Sequence, residues 1–244
     1  MQDVICKRGP IELRLGRWQD VLADVAQCDA VIVDGPYGSK THDGHAGRTR
    51  TDIRDKHKLP EPLPYDGWTP ADVGELCLRW SGAAMGWFVA ATSHDLFADY
   101  AARLGSLGRY VFAPVPIVTP GMSIRLRGDG PSSWTVWLCV ARPPSLSRWG
   151  TLPGAYIGKP ADSVIAGGKN LATMRAIVRD YSRPGDLIVD PCAGGATTLI
   201  AAAIEGRRAI GAEMDPETFR KACRRIDGGW TPDLFNGEVA SETI

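Results

Sequence analysis

No stretch of this chain is apolar for long enough to span a bilayer, and no charged segment followed by an apolar one opens it. A membrane partner is therefore not expected, and the expected location is the cytoplasm. The six cysteines, Cys6, Cys28, Cys77, Cys139, Cys192 and Cys223, are scattered with no C-x-x-C pair. That excludes the usual zinc spacing and predicts reduced thiols. His42 and His45 have no third ligand at a sensible spacing, so no metal is expected. Basic and acidic residues balance at 28 each, so no global field draws in a polyanion. A nucleic-acid partner would have to use local patches. No internal repeat argues for a solenoid.

What remains is a soluble composition over 244 residues, enough for one α/β domain with a large core. Ile11-Glu12-Leu13-Arg14-Leu15 alternates as a strand, and Trp18 to Ala26 has helical spacing. Ala30-Val31-Ile32-Val33 reads as a buried parallel strand. Thr69-Pro70-Ala71-Asp72 starts a helix that runs to about Trp80. Trp87 to Ala91 is a strand and Asp95 to Leu104 a helix. Tyr110 to Val118 is a strand interrupted by Pro114 and Pro116, which places it at an edge or a bulge. Trp134 to Val140 is a strand, and Leu171 to Tyr181 a helix with one apolar face. Leu187-Ile188-Val189 and Ala209 to Ala212 are strands. Thr198 to Glu205 and Pro216 to Ile226 are helices, the last with Asp215 as its N-cap. Strands alternating with helices predict an α/β sheet.

Two clusters carry the chemistry. In the first, an apolar strand ends in Asp34-Gly35-Pro36-Tyr37: an acid, a backbone carbonyl and an aromatic face. A planar, amine-bearing ring needs such a set. In the second, a strand ends in Asp190-Pro191-Cys192-Ala193-Gly194-Gly195-Ala196-Thr197-Thr198. Small residues there let a ligand approach the backbone. A plain βα turn has the same composition. Glu213, however, ends the next strand roughly 20 residues on, where a dinucleotide-type site places its ribose-binding acid. A nucleoside-type ligand is the better reading. Cys192 is read as a small packing residue.

Residues 38–68 show no periodicity, and such long structureless stretches are functional or disordered. Between Lys40 and Lys58, the basic residues Lys40, Arg48, Arg50, Arg54, Lys56 and Lys58 outnumber Asp43, Asp52 and Asp55. A mobile basic arm meeting phosphates is the favoured reading, against a merely solvated loop. Met122 to Gly130 holds Arg125 and Arg127. Arg142 to Ile157 interleaves Arg148, Trp149 and Tyr156, which can stack on bases; a Pro-rich connector with a packed Trp fits as well. The tail from Gly228 has no basic residue.

These motifs resemble those of the β-class amino-methylating DNA methyltransferases. That family carries Asp/Ser/Asn-Pro-Pro-Tyr in one motif and Asp-Pro-Phe-x-Gly-x-Gly-Thr-Thr in another. Here the Asp34 motif precedes the Asp190 motif, similar to the permuted order of that family. Gly168-Lys169-Asn170 resembles the Lys-Pro stretch ahead of the cofactor strand. Gly206-Arg207-Arg208 through Glu213-Met214-Asp215 resembles the Gly-Arg…Gly-x-Glu-x-Asp stretch.

The resemblance implies a Rossmann-like methyltransferase sheet with helices on both faces and small inserted recognition loops. It implies one catalytic domain over residues 1–230, with the 38–68 arm and a small target-recognition region at 121–157, and a tail over 231–244. It implies S-adenosylmethionine bound by Lys169, Asp190, Pro191, Cys192, Ala193, Gly194, Gly195, Thr197, Thr198 and Glu213. Asp34, Gly35, Pro36 and Tyr37 would be catalytic. DNA would be the partner, contacted through Lys40, Arg48, Arg50, Arg54, Arg125, Arg127, Arg148 and Trp149, with the target base flipped out. The Asp form of the first motif resembles adenine-N6 enzymes more often than cytosine-N4 ones; cytosine-N4 transfer is the nearest alternative. Restriction–modification in a phage or bacterium is the implied setting, with a monomer or a homodimer. Gly35 for Pro, Ala196 for Gly, Asn170 for Pro and Arg17 where relatives often have Asp depart from the pattern. They motivate a further alternative, a catalytically dead nucleic-acid-binding or regulatory relative.

Overall fold

The computed structural model describes residues 5–39, 66–121, 134–147, 149–159 and 168–228. Ten strands make one sheet among these residues: β1 (Ile5–Arg8), β2 (Ile11–Leu15), β3 (Ala30–Asp34), β4 (Phe88–Thr92), β5 (Tyr110–Val111), β6 (Val115–Val118), β7 (Thr135–Arg142), β8 (Tyr156–Ile157), β9 (Leu187–Asp190) and β10 (Arg208–Glu213). Their spatial order is β1-β2-β10-β9-β3-β4-β7-β6-β8, with β5 beside β7. The stretch β2-β10-β9-β3-β4 is parallel, whereas β1 and β7 run antiparallel to their neighbours β2 and β4. From β9 the chain crosses to β10 on one side; from β3 it crosses to β4 on the other. Strands β9 and β3 therefore flank the switch point, where open α/β sheets bind ligands beyond the carboxyl ends.

Helices cover both faces, as the resemblance implies. On one face lie α4 (Leu171–Tyr181), α5 (Thr197–Ile204) and α6 (Pro216–Asp227), packed through Met174, Ile177, Leu199, Ile200, Phe219 and Ile226. On the other lie α1 (Trp18–Val21), α2 (Pro70–Ala83) and α3 (Phe97–Ser106), whose Leu76, Trp80, Tyr100 and Leu104 are buried against Val31, Val33 and Phe88. Each fully buried Leu or Phe contributes about 1.5–3 kcal/mol, so these two layers hold the rim of the sheet rigid. Three helix starts follow the side chains that cap them. Thr69 and Asp72 form a reciprocal capping box, and Asn170 and Asp215 accept backbone N–H bonds from the first turns of α4 and α6.

Two elements differ from the sequence reading. The helix expected to reach Ala26 stops at Val21. The carbonyls of Leu22 and Val25 accept from the Arg79 guanidinium instead, at 3.3 and 2.8 Å, and Arg14 takes the carbonyl of Val21 at 2.6 Å. Long-range arginines thus satisfy groups that a continued helix would have used. The strand expected over Tyr110 to Val118 splits into β5 and β6. Val111 faces Ala141 and Val115 faces Leu138, so the Phe112-Ala113-Pro114 side carries one residue more than its partner. This is a bulge, where Pro114 needs no ladder N–H.

Candidate active site

Asp34 is the last residue of β3 and Asp190 the last of β9. The ladder between the two strands pairs Ala30 with Ile188 and Val31 with Val189. Continued by one residue, that register sets Asp190 level with Ile32, so Asp34 leaves the same carboxyl rim two residues further along.

Around Asp34 the contacts come from far along the chain. The Lys169 ammonium donates to both carboxylate oxygens, at 2.8 and 2.9 Å, and to the Tyr37 hydroxyl. Tyr37 donates its hydroxyl to Asp34 Oδ1 at 3.1 Å, and its ring lies beneath the ammonium at 4.9 Å. The Asp34–Lys169 pair is mostly shielded, with side chains 21% and 11% exposed. Trp68 closes the turn: its N–H donates to the Tyr37 carbonyl at 3.0 Å. A Cβ on Gly35 would meet the Trp68 ring at 3.0 Å, so the indole takes the room that a proline at 35 would fill. Gly38 passes still closer to Asp95, where a Cβ would lie 2.2 Å from the carboxylate.

Around Asp190 the contacts are local. Its carboxylate is buried and accepts the Cys192 N–H at 3.0 Å and a bond from the Thr198 hydroxyl. Burial pushes its carboxyl up to about 7, against the lowering pull of those two donors, and the charges of Asp34 and Glu213 add to the rise. Burial also raises Glu213, whose Oε1 accepts the Asp215 N–H at 2.7 Å. The Cys192 thiol is likewise pushed well up by burial, which opposes a nucleophile role.

The turn itself is tight. Ala193 N–H donates to the Ala212 carbonyl at 2.8 Å, tying it to β10. A Cβ on Gly211 would press on Ala193, the Asp190 carbonyl and Leu199 at about 3 Å, so β9 and β10 approach closely here. Ala196 sits at φ 62°, the one non-glycine residue with positive φ among the described residues.

Among the described residues acids outnumber cations at this rim: the charges of Asp34 and Glu213 act on Asp190, and Lys169 lies between Asp34 and Tyr37. A bound cation would relieve the strain on the raised carboxyls.

Residues 161–224 match the family model described as DNA methylase. The chain has the methyltransferase fold. It superposes on the crystal structure of an M1.HpyAVI–SAM complex with a TM-score of 0.63 at 20% identity, covering 88% of this chain and 99% of that one. With PvuII DNA methyltransferase, described as cytosine-N4-specific, the TM-score is 0.56 at 12% identity, over 91% and 95% of the two chains. In sequence, a DNA adenine methyltransferase of Escherichia coli K12, YhdJ, is 39% identical over 56 residues. That stretch is 23% of this chain and spans 19% of the relative's length.

Of the residues singled out in the sequence, Asp34, Gly35, Pro36, Tyr37, Lys169, the Asp190–Thr198 turn and Glu213 converge on this rim. Lys169, expected beside the cofactor, lies on the first motif. Trp149 is drawn away to the opposite rim. Its indole N–H donates to the Asp180 carbonyl at 2.6 Å, its ring meets Trp87 edge-on at 5.7 Å, and Arg183 covers it at 3.8 Å. There it lines a cleft of about 510 Å³ with Trp87, Phe112, Arg142 and Tyr181. This is the packing that the Pro-rich connector reading describes. Lys40, Arg48, Arg50, Arg54, Arg125, Arg127 and Arg148 lie outside the described residues, as do most of the 38–68 arm and the 231–244 tail.

Two further side chains support the site. In sequence, Trp68 only ends an aperiodic stretch. Arg225, on α6, donates to the Gly195 carbonyl at 2.8 Å and to Thr197 Oγ1 at 2.7 Å, bracing the glycine turn from below. Neither has a motif. Arg225 is one of several arginines on a charged helix, and nothing in spacing separates it from the rest.

Among the described residues no helix is long and apolar enough to cross a membrane, and no group of His, Cys, Asp and Glu is placed to hold a metal ion.

Proposed function

We propose that this protein transfers a methyl group from S-adenosylmethionine to the exocyclic N6 of adenine in DNA, with the base turned out of the duplex. The observation that carries the reading is that Asp34 and Asp190 end the two neighbouring parallel strands that flank the switch point of a methyltransferase sheet. The DNA methylase match, the M1.HpyAVI–SAM complex and the name of the Escherichia coli relative support it. The residues also fit the cosubstrate, because a sulfonium and an ammonium are the cations that a rim of raised carboxyls favours.

Asp190 would orient the methionyl amine and Glu213 the ribose hydroxyls. Pro191, Cys192, Ala193, Gly194, Gly195, Thr197 and Thr198 would form the close-approach turn. An exocyclic amine is a weak nucleophile because its lone pair is delocalised into the ring. Asp34 and the Gly35 carbonyl would accept its hydrogens and favour a pyramidal nitrogen, while Pro36 shapes the turn and Tyr37 stacks on the base. S-adenosylmethionine, when bound, would supply the methyl group to the nitrogen lone pair and keep the C–S electrons on its sulfur, and Asp34 would take the amine proton released. Alignment and electrostatics do most of this work.

The test is incubation with labelled cofactor and unmethylated DNA, followed by nucleoside mass spectrometry. N6-methyladenine is expected. The fold shared with a cytosine-N4-specific enzyme makes N4-methylcytosine the second reading, and its appearance would replace adenine as the target. No label in DNA would leave the dead relative. For the DNA contact, neutralising Arg48, Arg50 and Arg54 together should flatten the salt dependence of binding by up to about 0.9 log units per lost phosphate contact. Filter binding over a salt series reads the slope, and an unchanged slope removes that arm from the interface.

A further inference from the structure

We infer that Lys169 is a positioning residue for the Asp34 carboxylate and the Tyr37 ring, and not a ligand of the cofactor. The inference rests on the methyl-transfer reading of the site. Lys169 immediately precedes Asn170, the N-cap of α4, whose Met174, Ile177, Val178 and Tyr181 are buried. Its backbone is thus fixed to a rigid element, and only the side chain crosses to the first motif.

There its ammonium holds both Asp34 oxygens and the Tyr37 hydroxyl at once. An ammonium has three N–H donors in fixed directions. Engaging two oxygens of one carboxylate sets the plane of that carboxylate, and engaging the phenol sets the ring beside it. Oδ1 takes bonds from both Lys169 and Tyr37, whereas among the described residues Oδ2 takes one, from Lys169. A carboxylate oxygen accepts about two hydrogen bonds. Oδ2 therefore keeps acceptor capacity for an amine hydrogen, in a direction that Lys169 defines. The same ammonium over the ring face keeps Tyr37 from rotating away from the acid.

The chain separation of the pair explains why a cofactor role is the natural expectation from sequence. Lys169 lies 135 residues from Asp34 and a short way before the cofactor strand, so proximity in sequence points to the wrong partner.

The test compares Lys169→Met and Lys169→Arg with wild type by single-turnover methyl transfer, steady-state kcat and KM, cofactor titration calorimetry and thermal midpoint. Lys169→Met keeps the length of the stem and removes the donors. It should lower the transfer rate about 30-fold or more, chiefly in kcat, while cofactor Kd changes less than about threefold. Lys169→Arg, which keeps donors for both carboxylate oxygens, should recover part of the rate. In the Lys169→Met background, Tyr37→Phe should cost less than it does alone, because the hydroxyl contact is already lost. A cofactor Kd weakened tenfold or more, with kcat retained, would overturn the inference and restore the cofactor role. A folded wild type that binds cofactor and transfers no methyl group would instead overturn the reading of the site, and the positioning role with it.

Discussion

Asp190 takes its hydrogen bonds from its own turn, the Cys192 N–H and the Thr198 hydroxyl, while Asp34 is gripped by Lys169, 135 residues away. The two acids sit at equivalent places, the carboxyl ends of neighbouring parallel strands. Their surroundings are built by opposite means. The Asp190 turn is a short cassette in which glycines, small residues and hydroxyls close on themselves, and Arg225 braces it from outside. The Asp34 turn is assembled from three parts of the chain, with Trp68 filling the space over Gly35 and Lys169 crossing from α4. The first design is suited to binding, since a buried carboxylate with raised affinity for protons waits for a cation. The second is suited to catalysis, since orientation of one acceptor decides the rate.

The largest expected effect lies on the Asp34 side. Asp34→Ala should fold and bind cofactor within about threefold of wild type, yet lose methyl transfer by about 10³-fold or more, because the acceptor acts chiefly as the nitrogen pyramidalises. Tyr37→Ala should lose a stacking face worth about 1–3 kcal/mol per base, with a larger effect on duplex than on mismatched targets. Tyr37→Phe should retain much of the rate. Single-turnover transfer with labelled cofactor reads all three. Wild-type rates in Asp34→Ala would place catalysis elsewhere and dissolve the contrast between the two turns.

The Asp190 side should show the reverse pattern, with affinity falling more than chemistry. Glu213→Ala should weaken cofactor binding by about 1–3 kcal/mol, as for a charge-assisted hydrogen bond. Unchanged calorimetric affinity would remove Glu213 from the site.

The pH dependence follows from Asp190. Its carboxyl is held at about 7 by burial first. A cationic cofactor binds the carboxylate form, so affinity should be full above about pH 8 and about tenfold weaker at pH 6. In the ligand-free protein the sign is opposite. Below its folded value this group carries a proton that the unfolded chain releases near 4, so its contribution to stability is lost as pH rises from about 4 to 7. Asp190→Asn should therefore abolish the pH dependence of binding. It should also raise ligand-free stability at pH 8, by on the order of 1–3 kcal/mol in urea denaturation. A pH-independent Kd in wild type would mean that Asp190 is ionised throughout.

The same contrast accounts for what could be read in advance. The strand–turn–helix around Asp190 and the helix caps at Thr69 and Asp215 are local in sequence, and each stands as expected. The early end of α1 and the place of Lys169 were not legible, because both depend on side chains arriving from distant segments. Arg79 reaches back 57 residues to Leu22, and Lys169 reaches 135 to Asp34. Composition allows two readings of Trp149, and its packing beside Trp87 and Tyr181, whose rings lie 5.1 Å apart, comes from segments distant in sequence.

The smallest expected effect is at Ala196, and it asks how self-sufficient the Asp190 cassette is. A left-handed backbone costs a non-glycine residue about 1–2 kcal/mol, and Ala196 holds φ 62° at the entrance to α5. Ala196→Gly would release that strain. It would also remove a methyl that is 0% exposed, worth about 0.8 kcal/mol, and add about 0.4–1 kcal/mol of unfolded-state freedom. These terms nearly cancel, so urea denaturation should show a change below about 1 kcal/mol, with cofactor affinity scarcely altered. Ala196→Val, β-branched at the same backbone angle and already without space, should be clearly destabilising and should weaken cofactor binding with it. A gain of more than about 2 kcal/mol in Ala196→Gly would mean that the buried methyl contributes nothing and that the turn stores uncompensated strain. The near-neutral outcome would mean that packing against α5 and β10 offsets the conformation, and that this departure from the family's glycine leaves the cofactor turn intact.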